Sequence, residues 1–245
     1  MARRALDTVL VIGVLLGAWQ LLHVYSGDVA LASPAATANK AVELLESGQI
    51  WPHIAETSAA LAVALAISIA GGLAIGLTLG LNRIWTAVAE PIVVSLYSLP
   101  KITLYPLVLL IFGLGMSAKV AFGALHGVIP VIIFSMNAVR GLNPVFFKTA
   151  RVMRMSRSAT IFRLALPAAV PEIFSGIRLG FSLTLLGILI GEMFASQRGL
   201  GFLIINAIGL HDVLMMSAVT LLLAVFAVVV NAGLLTLDRR LHRRV

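Results

Sequence analysis

Long apolar runs alternate with short polar segments along almost the whole chain. About 20 apolar residues in helical form are enough to cross the hydrocarbon layer of a membrane, so each run predicts a transmembrane helix. The predicted spans are Leu6–Val24, Thr57–Leu81, Val88–Phe112, Val120–Val139, Ile173–Phe194 and Val213–Leu237. Because only short segments remain between them, we expect an all-α polytopic membrane protein in which residues 1–245 form one domain.

The first run could instead belong to a secretory signal peptide, because arginines precede it and Ala30-Leu31-Ala32 resembles a cleavage site. The apolar run from Leu6 to His23 is long for a signal peptide, and the possible cleavage site lies well downstream of it. We therefore expect this run to be retained as the first span.

Serine, glycine and proline predict local features of several elements. Ser33-Pro34 predicts the start of a short helix that continues to Glu46 and lies on the outer membrane surface. Gly72, Gly76 and Gly80 leave one helix face free for close approach of another helix, in the same subunit or in a dimer partner. Prolines are expected to interrupt two spans, the third at Leu99-Pro100 and Tyr105-Pro106 and the fourth at Pro130.

Composition and charge agree with this class and predict its orientation. The mean hydropathy is +1.05 and 60% of the residues are hydrophobic, which excludes a soluble domain of this length. One side of the predicted spans holds Arg3, Arg4, Arg83, Arg140 through Arg178, Arg239, Arg240, Arg243 and Arg244, and the other holds Lys40, Lys119 and Arg198. Because Lys-rich and Arg-rich loops stay in the cytosol, we expect both termini there.

The polar and basic segment at about 140–171 is the most informative about function. Asn143-Pro144 predicts the start of a short amphipathic helix, and Ser156 can cap a second one that Pro167 and Pro171 should end. Two short helices at an angle would form a compact protrusion that fits a groove on a soluble partner. Alternatively, the basic loop fixes the orientation and contacts anionic lipid headgroups only.

This segment resembles the coupling loop of the permeases of bacterial ABC importers. Lys148-Thr149-Ala150 stands at the family's Glu-Ala-Ala position, Arg154 at its glycine and Leu166-Pro167 at its Leu-Pro. Residues 168–180, Leu99-Pro100-Lys101, Tyr105-Pro106-Leu107, Gly191-Glu192-Met193 and Gly199-Leu200-Gly201 are similar to the branch that serves nitrate, sulfonate, taurine and bicarbonate importers. The resemblance covers nearly all of the chain after the first span.

The resemblance implies a type I ABC importer permease fold and a set of residues that couple it to an ATPase. These are Lys148, Thr149, Ala150, Met153, Arg154, Phe162, Leu166 and Pro167. Two of them depart from the family pattern: Lys148 replaces an acidic residue, and Arg154 replaces a glycine for which we expect a positive φ. The non-glycine residue should cost about 1 kcal/mol there, and an altered corner or a more acidic ATPase groove would accommodate both changes.

Three polar residues inside or near the ends of the spans are candidates for the translocation path: Lys101, His126 and Glu192. A charge within a span is costly unless it faces water or a partner, so Lys101 could attract an anion. Alternatively, it could snorkel or bind a carbonyl at the helix break. Glu192 could equally close a structural hydrogen bond, and His126 could be a packed core histidine.

No catalytic or metal-binding pattern accompanies these features. The sequence has no Cys, no Gly-x-x-x-x-Gly-Lys-Ser/Thr phosphate loop and no His residues at metal-ligand spacing. We therefore expect no enzymatic activity, cofactor or metal in this chain, and ATP hydrolysis by a separate subunit.

Together these features predict the permease subunit of an ABC importer in the inner membrane, acting as a homodimer. Its expected partners are an ATPase dimer, a periplasmic or lipid-anchored solute-binding protein and membrane lipid, and its expected solute is a small anion such as sulfonate, taurine or nitrate. A stand-alone secondary transporter or channel is the alternative. That class typically has intramembrane acid or His relays and repeated halves, which are largely absent from this sequence.

Overall fold

The computed structural model describes the backbone of residues 2–242. The side chains that it does not describe in this range are those of residues 2–6, Phe147, Arg157, Ser158, Phe162, Ala195 and His242. The predicted coupling residue Phe162 and the arginines at positions 3, 4, 243 and 244 therefore lie outside the described side chains.

The described part of the chain is helical and contains no strand, which confirms the all-α prediction. Its α-helices are α1 (Ala2–Ser26), α2 (Pro34–Glu46), α3 (Trp51–Gly80), α4 (Arg83–Ser98), α5 (Tyr105–Phe112), α6 (Met116–Arg140), α7 (Pro144–Val152), α8 (Arg157–Thr160), α9 (Leu166–Ala195), α10 (Leu200–Gly209) and α11 (Val213–His242). A 3-10 helix (Lys101–Leu104) precedes α5, and a π-helical segment (Ile161–Ala165) precedes α9.

Helices α1, α3, α6, α9 and α11 are long and apolar enough to cross a membrane. Helices α4 and α5 meet at an angle of 85° and make a sixth span if the bent pair counts as one. The break lies at Leu99-Pro100, as predicted, because a proline disfavours helical backbone in the residue before it.

Helix α6 forms the centre of the bundle and packs along both α3 and α9. The glycines Gly72, Gly76 and Gly80 line the α3 face of this contact, where a Cβ at Gly76 would lie 2.7 Å from the Ile132 carbonyl oxygen. The stripe therefore serves close packing within one chain. Helix α1 lies apart, since none of its apolar window is buried.

A layer of two short helices covers one end of the bundle. The hydroxyl of Ser33 caps α2 by accepting a hydrogen bond from the Ala36 N–H (3.2 Å), as the sequence predicted. Helices α2 and α10 both pack against α11, with Leu44 and Leu200 buried in the shared apolar cluster. We call this end the α2–α10 end, and the opposite one, which carries the two short helices of the basic segment, the α7–α8 end.

The other proline predictions have different outcomes, and the prediction that Pro167 and Pro171 end a short helix is wrong. Pro106 takes the second position of α5, where its missing N–H would be unpaired in any helix. Pro130 lies inside α6, which continues in helical form to Arg140, so the kink expected there stays a prediction. Pro167 and Pro171 do not end a short helix, because α9 runs through both. The Leu166 N–H donates to the Ile161 carbonyl five residues back, and this wider turn admits Pro167 into the continuing helix.

Candidate functional site

The basic segment begins with the short helix α7, as the sequence predicted. The second predicted helix is not separate, because α8 continues through the π-helical segment into α9. The side chain of Asn143 accepts a hydrogen bond from the Val145 N–H (3.0 Å), which caps α7 one residue before Pro144. The hydroxyl of Ser156 accepts a hydrogen bond from the Ala159 N–H (3.2 Å) and so caps the short helix α8. The chain turns between them at residues 153–156.

Arg154 forms the corner of this turn with a φ of +52°. The Met155 N–H donates to the Ala150 carbonyl (2.9 Å) and the Arg154 N–H to the Arg151 carbonyl (3.0 Å), which satisfies the last carbonyls of α7. A left-handed residue at this place is common after a helix and is most often glycine. The expectation that position 154 has a positive φ is therefore confirmed.

The side chains of the turn divide between an inner and an outer face. Ala150 is buried, with 2% of its surface exposed, whereas Val152 and Met153 are 84% and 67% exposed. The exposed cations beside them are Lys148, Arg151 and Arg154, and none of the three forms an ion pair with another described residue. The tip thus presents apolar and basic groups together, with Ala150 packed beneath them.

Lys101 lies at the break between α4 and α5 and is 9% exposed. Its ammonium donates to the Tyr97 carbonyl (3.0 Å) and lies 5.3 Å from the centre of the Tyr97 ring. The carbonyl is free because the helix ends one residue beyond it. The ammonium thus contacts the broken helix end, one of the two alternatives that the sequence left open.

His126 lies inside α6 and is 8% exposed. Its Nδ1 is 2.9 Å from the Phe122 carbonyl oxygen. Its ring packs edge to face against the Phe122 ring, with 4.5 Å between the ring centres. Gly187 of α9 lies directly against it, since a Cβ there would be 2.9 Å from Nδ1. The histidine is therefore packed between two helices of the same chain.

Glu192 lies at the α2–α10 end and has no exposed surface. Its carboxylate accepts hydrogen bonds from the Thr57 hydroxyl and from the Gly201 N–H, both at 2.9 Å. The Lys119 ammonium is 3.8 Å from the same carboxylate and 2.7 Å from that of Glu56. Each of the three candidates for the path therefore has polar partners within the chain.

Three residues of this site were not predicted from the sequence as functional candidates: Lys119, Thr57 and Glu56. Lys119 is 1% exposed although it lies in the first turn of α6, where a solvent-facing lysine would be the ordinary expectation. Glu56 also lines an open concavity of about 640 Å³ with Leu114, Gly115, Phe194, Ser196, Gln197 and Arg198. The signal available in the sequence was a pair of opposite charges, Lys119 and Glu56, each next to the end of a different predicted span.

Comparisons with known proteins agree with this architecture. Residues 68–245 match a family model described as the binding-protein-dependent transport system inner membrane component. The riboflavin transport system permease protein RibX of Chloroflexus aurantiacus is 37% identical over 227 residues, which are 91% of this chain and 84% of the relative. The putative aliphatic sulfonates transport permease protein SsuC of Escherichia coli is 33% identical and covers 72% of this chain and 67% of its own length.

The solved structures that match confirm the fold. The MetNI methionine ABC transporter in an inward-facing form superposes with a TM-score of 0.66 at 17% identity, over 79% of this chain and 98% of that one. Permeases named for taurine, nitrate and bicarbonate transport also match in sequence, which confirms the branch that the sequence motifs indicated. The chain belongs to the binding-protein-dependent transport system inner membrane components and is the permease subunit of an ABC importer.

Proposed function

We propose that two copies of this chain form the solute path of the importer, that an ATPase subunit binds the α7–α8 end of each copy, and that a solute-binding protein docks on the α2–α10 end. The observation that carries the proposal is the compact basic turn, which presents Val152 and Met153 to solvent beside three cations that form no ion pair with a described residue. A loop that only contacted lipid headgroups would not require a corner that is fixed by helix caps. Residues 1–245 act as one permease domain.

The orientation follows from the distribution of charge. The α7–α8 end holds most of the Lys and Arg residues, and such segments remain on the cytosolic side. Both termini are then cytosolic, the α2–α10 end is periplasmic, and the chain spans the inner membrane several times. ATP hydrolysis belongs to the partner, because this sequence contains no phosphate-binding loop of the ATPase type.

The transport step is a rigid-body rearrangement of the packed helices. Closure of the ATPase dimer would bring the two α7–α8 turns together and rotate the bundles, which opens the path outward, and hydrolysis would reverse the movement. Helices α3, α6 and α9 would move as one body, because α6 packs extensively against both α3 and α9. Lys101, which lies at the break between α4 and α5, is the candidate for contact with the solute.

The solute that we propose is a small anion, such as a sulfonate, taurine or nitrate. Support comes from the relatives, since permeases named for aliphatic sulfonates, taurine and nitrate are 27–33% identical to this chain. A flavin is the second candidate, because the relative named for riboflavin transport is 37% identical over most of the chain. The partner that selects the solute is the binding protein, so its ligand decides between them.

Co-purification tests this assembly directly. The tagged chain would be isolated from its native membrane in mild detergent, and the proteins that accompany it identified by mass spectrometry. We expect an ATPase subunit and a solute-binding protein, and the ligand extracted from the binding protein identifies the solute. Repeated recovery of the chain alone would overturn the proposal in favour of a stand-alone transporter.

A substitution on the exposed tip tests the docking site. Met153→Asp should reduce recovery of the ATPase at least tenfold, because it places a carboxylate within the apolar part of the contact. Val29→Asp is the matched control, since Val29 is 91% exposed and lies at the opposite end. Ala150 is unsuitable for this test because it is buried, and a charge there would disturb the turn itself. Equal recovery from both variants would exclude the tip as the docking site.

A further inference from the structure

Two sequence motifs meet at one buried carboxylate. Gly191-Glu192-Met193 lies near the end of α9, and Gly199-Leu200-Gly201 begins α10. The Gly201 N–H donates to Glu192 directly (2.9 Å), while the Leu200 N–H donates to the Thr57 hydroxyl (2.9 Å), which donates onward to Glu192 (2.9 Å). The first N–H groups of a helix have no partner within it, and here Glu192 accepts one of them directly while Thr57, itself bound to Glu192, accepts another.

The backbone around the carboxylate leaves room for nothing larger than glycine. A Cβ at Gly199 would overlap the Glu192 carboxyl group, and the φ of +120° at this residue also excludes most other side chains. A Cβ at Gly201 would overlap the Leu189 carbonyl oxygen. The turn before α10 is therefore shaped around this one carboxylate, which explains why the glycines and the glutamate occur together.

The same network reaches the central helices of the bundle. Lys119 of α6 lies between Glu192 and Glu56 of α3, with its ammonium 3.8 Å and 2.7 Å from their carboxylates. The Tyr105 hydroxyl of α5 donates to the Gly191 carbonyl (2.8 Å). Helices α3, α5, α6, α9 and α10 are thus joined at one buried point of the α2–α10 end.

We propose that Glu192 is a positioning residue that couples the outer layer, α2 and α10, to the membrane-spanning bundle. The start of α10 also has a polar contact with α3, since the Gly199 N–H donates to Nδ1 of His53 (3.2 Å). The packing of the layer on α11 is apolar. Apolar contacts are non-directional, so on their own they would let the layer shift without moving the spans. The buried hydrogen bonds to Glu192 fix the start of α10 in direction and distance. Docking of the binding protein on the layer is thereby transmitted to α3, α6 and α9. This inference rests on the proposed function, because it requires a binding protein at that end.

The test uses two pairs of substitutions in the complete complex with its ATPase. Thr57→Val removes the bridging hydroxyl at nearly constant volume, and Thr57→Ser retains it. Glu192→Gln removes the charge, and Asp7→Asn makes the matching change at an exposed position of α1, outside the outer layer. The complexes would be reconstituted in nanodiscs, and ATPase activity would be measured with and without the solute-binding protein recovered by co-purification, carrying its endogenous ligand.

We expect Thr57→Val and Glu192→Gln to lose at least fivefold of the stimulation by the binding protein, with basal ATPase activity within twofold of the wild type. Thr57→Ser and Asp7→Asn should keep full stimulation. If Thr57 and Glu192 had a purely structural role, their substitution would lower basal ATPase activity and assembly together. Loss of the stimulation with normal basal ATPase activity therefore distinguishes coupling from a structural role. Full stimulation in Thr57→Val and Glu192→Gln would overturn the inference, and so would failure of both to assemble. A wild-type complex without any stimulation would instead contradict the proposed function.

Discussion

At the scale of single residues, Arg154 holds a backbone conformation that is unfavourable for its own side chain. Its φ of +52° lies in the left-handed region, where an L-residue other than glycine pays about 1 kcal/mol or more. The side chain is exposed and forms no ion pair with a described residue that would offset this cost within the chain. A cation at the tip of the protrusion is therefore better explained by a partner than by folding.

Arg154→Gly should stabilise the isolated permease by about 1 kcal/mol, since glycine adopts this φ without strain. For a chain of this size the midpoint of thermal unfolding in detergent should rise by roughly 2–4 °C. Met153→Gly is the matched control, because Met153 has a φ of −78° and gains no relief from glycine. A lower midpoint in Arg154→Gly would mean that the arginine side chain stabilises the turn by contacts within the chain.

At the scale of helices, the crossing of α3 over α6 depends on backbone-to-backbone proximity. Gly72, Gly76 and Gly80 each approach α6 so closely that a Cβ would meet its atoms at 2.5–2.7 Å. Gly71 lies in the same helix, but a Cβ there would be 3.6 Å from its nearest neighbour, an ordinary contact. Neighbouring glycines of one helix therefore have different roles, which only the distances to α6 distinguish.

Gly76→Ala should destabilise the bundle by about 1–3 kcal/mol, because the Ile132 carbonyl that it would meet belongs to a helix backbone and cannot move aside alone. Gly71→Ala should be neutral or stabilising, since alanine favours helix over glycine by about 1 kcal/mol. Thermal unfolding of the two variants, measured side by side in the same detergent, gives the comparison. Equal midpoints would show that α3 and α6 can separate to admit a methyl group.

The sequence predicted those features that depend on neighbouring residues. The caps at Ser33, Asn143 and Ser156 and the positive φ at Arg154 are set by local hydrogen bonds and local sterics, and all are confirmed. The passage of α9 through Pro167 was not predictable in the same way, because it needs a widened turn that propensities do not encode.

Contacts between distant segments were beyond the reach of sequence patterns. Thr57 and Gly201 are 144 positions apart, and nothing in either motif indicates that both bind the same carboxylate. Lys119 gave a misleading signal, since a lysine at a predicted span end is normally solvated. Burial pairs it with Glu56 instead, and that pairing depends on the way α6 packs in the assembled bundle.

At the scale of the whole molecule, the two ends differ in how their cations are neutralised. At the α2–α10 end, Lys40 pairs with Glu43 and Lys119 with Glu56, each at 2.7 Å. At the α7–α8 end, Arg140 pairs with Glu90, but Lys148, Arg151 and Arg154 form no ion pair with a described residue. Among the described residues, the cations without an ion pair therefore lie mainly at one end, which is the end that should remain in the cytosol.

Cysteine labelling tests this orientation without background from the chain itself, because its sequence contains no cysteine. Val29→Cys at the α2–α10 end and Arg239→Cys near the end of α11 both replace exposed residues. A membrane-impermeant maleimide added to intact spheroplasts should label Val29→Cys only, and in inside-out vesicles it should label Arg239→Cys only. The charge difference between the ends favours this arrangement, because the reverse orientation would require more cations to cross the membrane. The reverse labelling pattern would place the basic turn outside the cell, where no ATPase could reach it, and would contradict both the orientation and the docking site.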